Sequence, residues 1–419
     1  MTAKFLVICI CVVQCFIAFT LNAGESAGSL SAARSNFQTT LLKKLRYTDA
    51  LESPPAELFS IIKYPTPIGD MAAYLGKADG SNKKQPAIIW LVGGFPPGGL
   101  PGKAWQSASA ENDQSAKVYR QKGIVMMYPF LRGNGGNPGF REGFYGEVDD
   151  VLSALAYLKT VDYVDPQQIY LGGHSTGGTL ALLVAESSSE FKAVFAFGPR
   201  EDPVVYSSSN VLYDSKNETE NKLRAPLHYL SAITSPTYII EGSYGNIAAL
   251  NALKAVNKND NVMLIPIPYA DHFAPLSPVN RFIADRIVES RSKKLDIKAT
   301  EVQGAFKAHR VMIRETSDLQ GLANIRGSGV KFNQVHEFKS YFWSYKQKRL
   351  VKAQKDLQRS GFTETEIKQG KDNEANTYYF IVAKKQADLF DVKSLFTLTA
   401  QLSDMADRHV VVYDGWGVN

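Results

Sequence analysis

From about residue 60 the chain alternates two apolar patterns. Short, nearly unbroken apolar runs recur at 71–75, 87–92, 124–128, 168–171, 193–197, 237–240 and 262–267. Ile88-Ile89-Trp90-Leu91-Val92 and Tyr238-Ile239-Ile240 leave no polar face, which is how strands covered on both sides read. Between these runs, 148–159, 176–185, 247–256 and 279–289 carry apolar residues at helical spacing. Strand and helix in alternation predict βαβ units, hence a mostly parallel sheet with helices on both faces. A Ser/Asn-rich excursion at 203–235 breaks the rhythm and is expected to form a small lid.

The pattern changes after Lys294. Residues 298–330 include Gly304, Gly321, Gly327 and Gly329 and read as a linker. Beyond it, strand 335–345, helix 347–359, strands 363–368 and 378–383, helix 392–408 and strand 410–413 follow the βαββαβ order of a ferredoxin-like α+β domain. The reading therefore gives a parallel α/β domain over 60–297, a linker over 298–330 and a ferredoxin-like domain over 331–419. Ahead of them stand a leader, 1–23, and a polar segment, 24–59, with a helical patch at 39–45.

Composition narrows the class. A length of 419 residues exceeds one ordinary core, and 44% hydrophobic with 21% charged residues marks a globular chain. The net charge of +6 is dispersed, which argues against a nucleic-acid partner. Met1-Thr2-Ala3-Lys4, the apolar run 5–21 and the small residues Ala23 and Gly24 predict a signal peptide cleaved after Ala23. The mature protein is then periplasmic or secreted, with no membrane association beyond the leader; an uncleaved N-terminal anchor is the alternative. Cys9, Cys11 and Cys15 all fall in that leader. Cleavage would remove thiol catalysis, disulfides and cysteine-ligated zinc.

The chemistry centres on Gly173-His174-Ser175-Thr176-Gly177, which ends one predicted strand and opens an apolar helix. A G-x-S-x-G turn in that context strains the serine and lifts its hydroxyl above the sheet, whereas a glycine-rich turn alone would not need the context. Thr176 then offers its N–H to an oxyanion from a helix N-terminus. Val92-Gly93-Gly94-Phe95 follows an earlier central strand, so the N–H of Phe95, with Gly94 next to it, is the expected second donor. Of six histidines, His174 lies inside the turn, expected to point away from the hydroxyl, and His309, His336 and His409 lie in the linker or the second domain. His228 precedes the penultimate strand, so His272, after the last strand, is the candidate general base. The acid is open. Gly245 and Asn246 stand where a carboxylate is expected after Gly242; Glu241 is nearest, as either the triad acid or a structural glutamate, and Asp202 is the fallback.

These residues, with 131–139, Glu147-Val148-Asp149-Asp150-Val151 and 163–169, resemble the prolyl oligopeptidase and dienelactone hydrolase branch of the α/β hydrolases, over about 60–295. The resemblance implies a serine hydrolase acting on a small ester or peptide through Ser175, His272 and provisionally Glu241, with neither metal nor organic cofactor. No propeller repeats precede the domain, which favours a small esterase or acyl hydrolase over a size-selective peptidase. The ending Val410-Val411-Val412-Tyr413-Asp414-Gly415-Trp416-Gly417 is similar to the family of the regulator of ribonuclease E activity B, which implies a ferredoxin-like fold and a protein partner. That family's known member is strongly acidic, whereas residues 331–419 hold 14 Lys/Arg against 11 Asp/Glu. Tyr413 and Trp416 are then either a binding surface or a turn packed on the sheet edge. The alternative for the whole chain is a catalytically weak hydrolase fold that acts as a scaffold through its C-terminal domain.

Overall fold

The structure is a computed structural model that describes residues 28–95, 104–106, 108–109, 112–206, 209–290, 295–330, 335–388 and 391–418. The leader read at 1–23 lies outside the described residues.

Eight strands form the larger sheet: β1 (Phe59–Thr66), β2 (Gly69–Gly76), β3 (Gln85–Leu91), β4 (Val125–Pro129), β5 (Val164–His174), β6 (Val194–Phe197), β7 (Thr237–Gly242) and β8 (Val262–Ile267). Their spatial order is β1-β2-β4-β3-β5-β6-β7-β8. Only β2 runs against its neighbours; from β4 to β8 the pairing is parallel. This is the α/β-hydrolase sheet. The unbroken apolar runs became its interior strands, and every residue of β3, β4, β6 and β7 is buried. β1 escaped the apolar-run pattern because it is an edge strand, with buried Phe59 and Tyr64 separated by partly open positions.

The helices are α1 (Leu30–Arg34), α2 (Val118–Gln121), α3 (Glu147–Leu158), α4 (Thr176–Ala185), α5 (Glu218–Lys222), α6 (Ile247–Val256) and α7 (Leu276–Glu289). α3, α4 and α6 bury Val151, Leu155, Leu183 and Leu253 against one face of the sheet. α2 and α7 bury Tyr119, Val279, Ile283 and Ile287 against the other. Each such side chain contributes about 1.5–3 kcal/mol, and the two cores clamp the strands so that only their ends are free. The excursion at 203–235 holds α5 and three short 3-10 turns.

Two expectations change. The patch at 39–45 is not helical: Leu41 bridges Tyr213, the Leu42 amide donates to the Leu212 carbonyl, and Glu220 takes both the Thr40 amide and the Thr39 hydroxyl. Tertiary hydrogen bonds outcompeted a short helix, which is marginal alone. Residues 298–330, read as a linker broken by glycines, are chiefly one continuous helix, α8 (Ala299–Gly327), of 29 residues. Glu301 takes the Lys298 amide at its start (2.9 Å). Val302 and Phe306 complete the hydrolase core, and Leu322 packs on the C-terminal core. Each interior glycine costs a helix about 1 kcal/mol, which anchoring at both ends offsets.

The second sheet contains β9 (His336–Ser344), β10 (Ile367–Lys371), β11 (Thr377–Ala387) and β12 (Val412–Val418), with α9 (Gln347–Arg359) and α10 (Val392–His409). The order β10-β11-β9-β12, antiparallel throughout, is the ferredoxin-like βαββαβ arrangement. The last strand starts at 412 rather than 410 because Val410 closes α10 in the left-handed region. Trp416 lies within β12, stacked on Phe338 at 5.3 Å, and its Nε1 donates to Asp318 of α8 at 2.7 Å. Of its two readings, packing is the one this geometry matches.

Candidate active site

Five strand ends of the larger sheet meet at one edge. β5 delivers Ser175, whose φ of +56° and ψ of −115° are strained for a residue with a side chain. The turn survives because α4 crosses so close to β3 that a Cβ on Gly177 would stand 2.0 Å from the Leu91 carbonyl oxygen. The Ser175 amide donates to the Phe197 carbonyl at the end of β6 (2.7 Å), which ties the turn to the neighbouring strand. Its side chain remains partly accessible.

The loop after β8 carries His272 back over this edge. His272 Nδ1 lies 2.9 Å from Glu241 Oε2. Glu241 is almost wholly buried, and its Oε1 accepts the Gly242 amide at 2.6 Å. With the carboxylate ionised, Nδ1 donates and Nε2 keeps its lone pair. Gly245 makes this possible: a Cβ there would stand 2.3 Å from Glu241 Oε1. The position where sequence spacing expected a carboxylate is thus the space that Glu241 fills from one turn earlier. Asn246 instead binds the Gly198 carbonyl and accepts from Arg200. Asp202 is not part of the cluster; its carboxylate caps Val204.

His174, expected to point away from the hydroxyl, contacts His272. Its Nε2 is 3.1 Å from the His272 carbonyl oxygen, and the two rings lie 4.5 Å apart. Burial, together with the neighbouring His272, pulls its pKa from 6.5 down to about 3, so the neutral ring donates through Nε2 and holds the His272 loop beside Ser175. No local pattern marks this contact; it follows from the crossing of the β8 loop over the end of β5. The other histidines lie elsewhere: His228 against Tyr229, His309 on α8, His336 at the start of β9 and His409 on Asp356.

On the other side of Ser175, the Thr176 hydroxyl donates to the Gly94 carbonyl at 2.9 Å, tying the β3 loop to the start of α4. Gly94, Phe95 and Thr176 line one cavity of about 290 Å³ with Leu131, Phe144 and Leu180. Tyr206, from the excursion, stacks on Phe144 (5.8 Å) and meets Phe95 edge-on (4.9 Å). Arg132 holds the facing loop through a bidentate pair with Asp150 (2.8 and 3.1 Å) and a second with Glu142 (2.6 Å). That pair explains why the motifs at 131–139 and 147–151 occur together. Among the described residues no group of three or more His, Cys, Asp or Glu could hold a metal ion, and no helix is long and apolar enough to cross a membrane.

Comparison with known proteins agrees with this architecture. Residues 111–274 match the prolyl oligopeptidase family, and residues 315–418 match the regulator of ribonuclease activity B. The uncharacterized peptidase YtmA of Bacillus subtilis (strain 168) is 28% identical over 170 residues, covering 37% of this chain and 61% of the relative. The chain therefore spans under two thirds of that relative's length. Solved structures similar to it include an acylaminoacyl peptidase in complex with Z-Gly-Gly-Phe-chloromethyl ketone, with a TM-score of 0.44, 14% identity, and 58% of this chain and 44% of that chain covered. An esterase of Pyrococcus furiosus has a TM-score of 0.44 and 16% identity, with 58% of this chain and 97% of that chain covered. The fold and the site edge define an α/β hydrolase. More narrowly, residues 111–274 are similar to the prolyl oligopeptidase family and residues 315–418 to the regulator of ribonuclease activity B.

Proposed function

We propose that the protein is a serine hydrolase that cleaves a small ester or peptide through an acyl-enzyme on Ser175. The observation that carries this reading is the part-buried Glu241–His272 hydrogen bond at the same sheet edge as the strained Ser175. Ser175 Oγ attacks the carbonyl carbon while His272 Nε2 takes its proton. The N–H groups of Thr176 and Phe95, with Gly94 adjacent, receive the oxyanion. His272 returns the proton to the leaving group, and water repeats the sequence to release the acid. Glu241 keeps the imidazole in the productive tautomer and stabilises its cation. Every step uses the chain's own groups. The apolar run at 5–21 supports export, and a mature N-terminus at Gly24 is the expected result of N-terminal sequencing.

Labelling with a fluorophosphonate tests the nucleophile. Wild type should be labelled and Ser175→Ala should not. Equal labelling of the two would refute the assignment. An unlabelled wild type, inert on short esters, would instead favour the scaffold reading, which drew its force from the missing carboxylate after Gly242.

A further inference from the structure

We propose that the cavity beside the oxyanion loop is a subsite for a carboxylate on the acyl part of the substrate, recognised by Arg141. The proposal rests on the serine-hydrolase reading and adds the substrate's charge to it.

Arg141 lines the cavity and is only 6% exposed. Its backbone amide is fixed on the Leu45 carbonyl (3.0 Å), and its guanidinium lies over the Phe95 ring, 5.2 Å from the centroid. Among the described residues its side chain takes part in no ion pair and donates no hydrogen bond. A cation so nearly enclosed is unfavourable unless paired, and a planar fork of donors suits a carboxylate held by two parallel hydrogen bonds.

The cavity's other polar groups do not fill that role. Glu147 accepts the Glu142 amide through Oε1, and its charge bears on Arg132. Its Oε2 and the Asn134 Oδ1 are closed off from open space. Phe130, Leu131, Phe144 and Leu180 supply apolar wall, interrupted by the backbone of Gly93, Gly94 and Gly143 and by Thr176. Among the described lining residues Arg141 is thus the one cation, and it faces a cavity of mixed polar and apolar wall.

Its position puts the acyl part of the substrate within reach. Gly94, Phe95 and Thr176, which would hold the carbonyl oxygen, also line it. That oxygen belongs to the acyl group, which stays on Ser175 when the leaving group departs. A substituent on that acyl carbon can reach the cavity, and the two esters compared below differ in that substituent alone. At about 290 Å³ it fits a short chain ending in a carboxylate, such as a glutamyl side chain.

The experiment compares kcat/KM for the p-nitrophenyl esters of N-acetylglutamate and N-acetylglutamine, which differ in charge and little in shape. Wild type should favour the glutamate ester about ten-fold or more, the range of a charge-assisted pair. Free N-acetylglutamate should inhibit where N-acetylglutamine does not. Arg141→Gln should bring the ratio of the two esters near one, and Arg141→Lys should restore part of it. A wild type that favours the glutamine ester, or treats both alike, overturns the proposal without any variant. So does an Arg141→Gln ratio equal to wild type. Failure of wild type to take the fluorophosphonate label is the separate result that removes the underlying reading.

Discussion

β3 and β9 both sit inside their sheets, yet their surroundings differ. All seven residues of β3 are buried, whereas β9 alternates buried His336, Phe338, Ser340, Phe342 and Ser344 with more open positions. Helices cover both faces of the larger sheet; α9 and α10 cover one face of the smaller. The open face carries aromatic rings in a row, with Trp343, Tyr345, Tyr378 and Phe380 at centroid separations of 5.4–6.3 Å. Pairing direction decides the rest. Parallel strands bring the loops after β3, β5, β6, β7 and β8 to one edge, where Gly94, Ser175, Gly198, Glu241 and His272 meet. Antiparallel pairing divides the strand ends of the four-stranded sheet between two edges.

The largest test of that contrast lies at the strand ends. Glu241→Gln should lower kcat by about 10³-fold or more, since the amide leaves His272 with the wrong tautomer. Activity within ten-fold of wild type would mean that the Glu241–His272 pair does not serve catalysis. Thermal or urea unfolding compares the two sheets directly. Ile89→Ala, on the doubly covered strand, should cost about 2–5 kcal/mol, while Tyr341→Thr on the open face of β9 should change stability by about 0.5 kcal/mol or less. Equal costs would deny the difference in covering.

His174 gives a pH test of the strand-end cluster. Its pKa falls from 6.5 unfolded to about 3 folded. Between those values the unfolded chain binds a proton that the native state does not, so stability must fall as pH drops from about 6.5 toward 3. In denaturant titrations over that window, His174→Gln should be less steeply pH-dependent by up to about one proton. An unchanged slope would place the titration elsewhere.

The smallest effect concerns the junction between the two sheets. Arg310 donates to Asp407 at 2.6 and 3.1 Å, and the Tyr244 hydroxyl, three residues past Glu241, donates to the Asp407 carbonyl at 2.5 Å. Arg310→Gln should cost about 1 kcal/mol or less, because the arginine is about a third exposed. A larger loss, or two separated unfolding transitions in wild type, would revise how firmly α8 joins the regions.

Reading by pattern succeeded where neighbours in sequence are neighbours in space. The G-x-S-x-G turn is one strand end and one helix start, so Ser175 and Thr176 were legible, and chain order singled out His272. Glu241 was reached only as one of two readings, because 31 residues separate it from His272 and only packing at Gly245 shows that its carboxylate fits. α8 was misread since four glycines signal breaks locally, while its anchors, the hydrolase core and Trp416, are distant. Arg141 carried no local signal either.

Sequence alone determined the fold of each half, because strand and helix periodicity are imposed by burial that repeats every few residues. It also determined the serine turn, because backbone strain is a property of five consecutive residues. Tertiary structure alone decided which carboxylate meets His272, what His174 holds, that α8 is one helix and that, among the described residues, the Arg141 side chain has neither an ion pair nor a hydrogen bond. Each of these depends on the short reach of a hydrogen bond or an ion pair between residues that only the folded chain brings together.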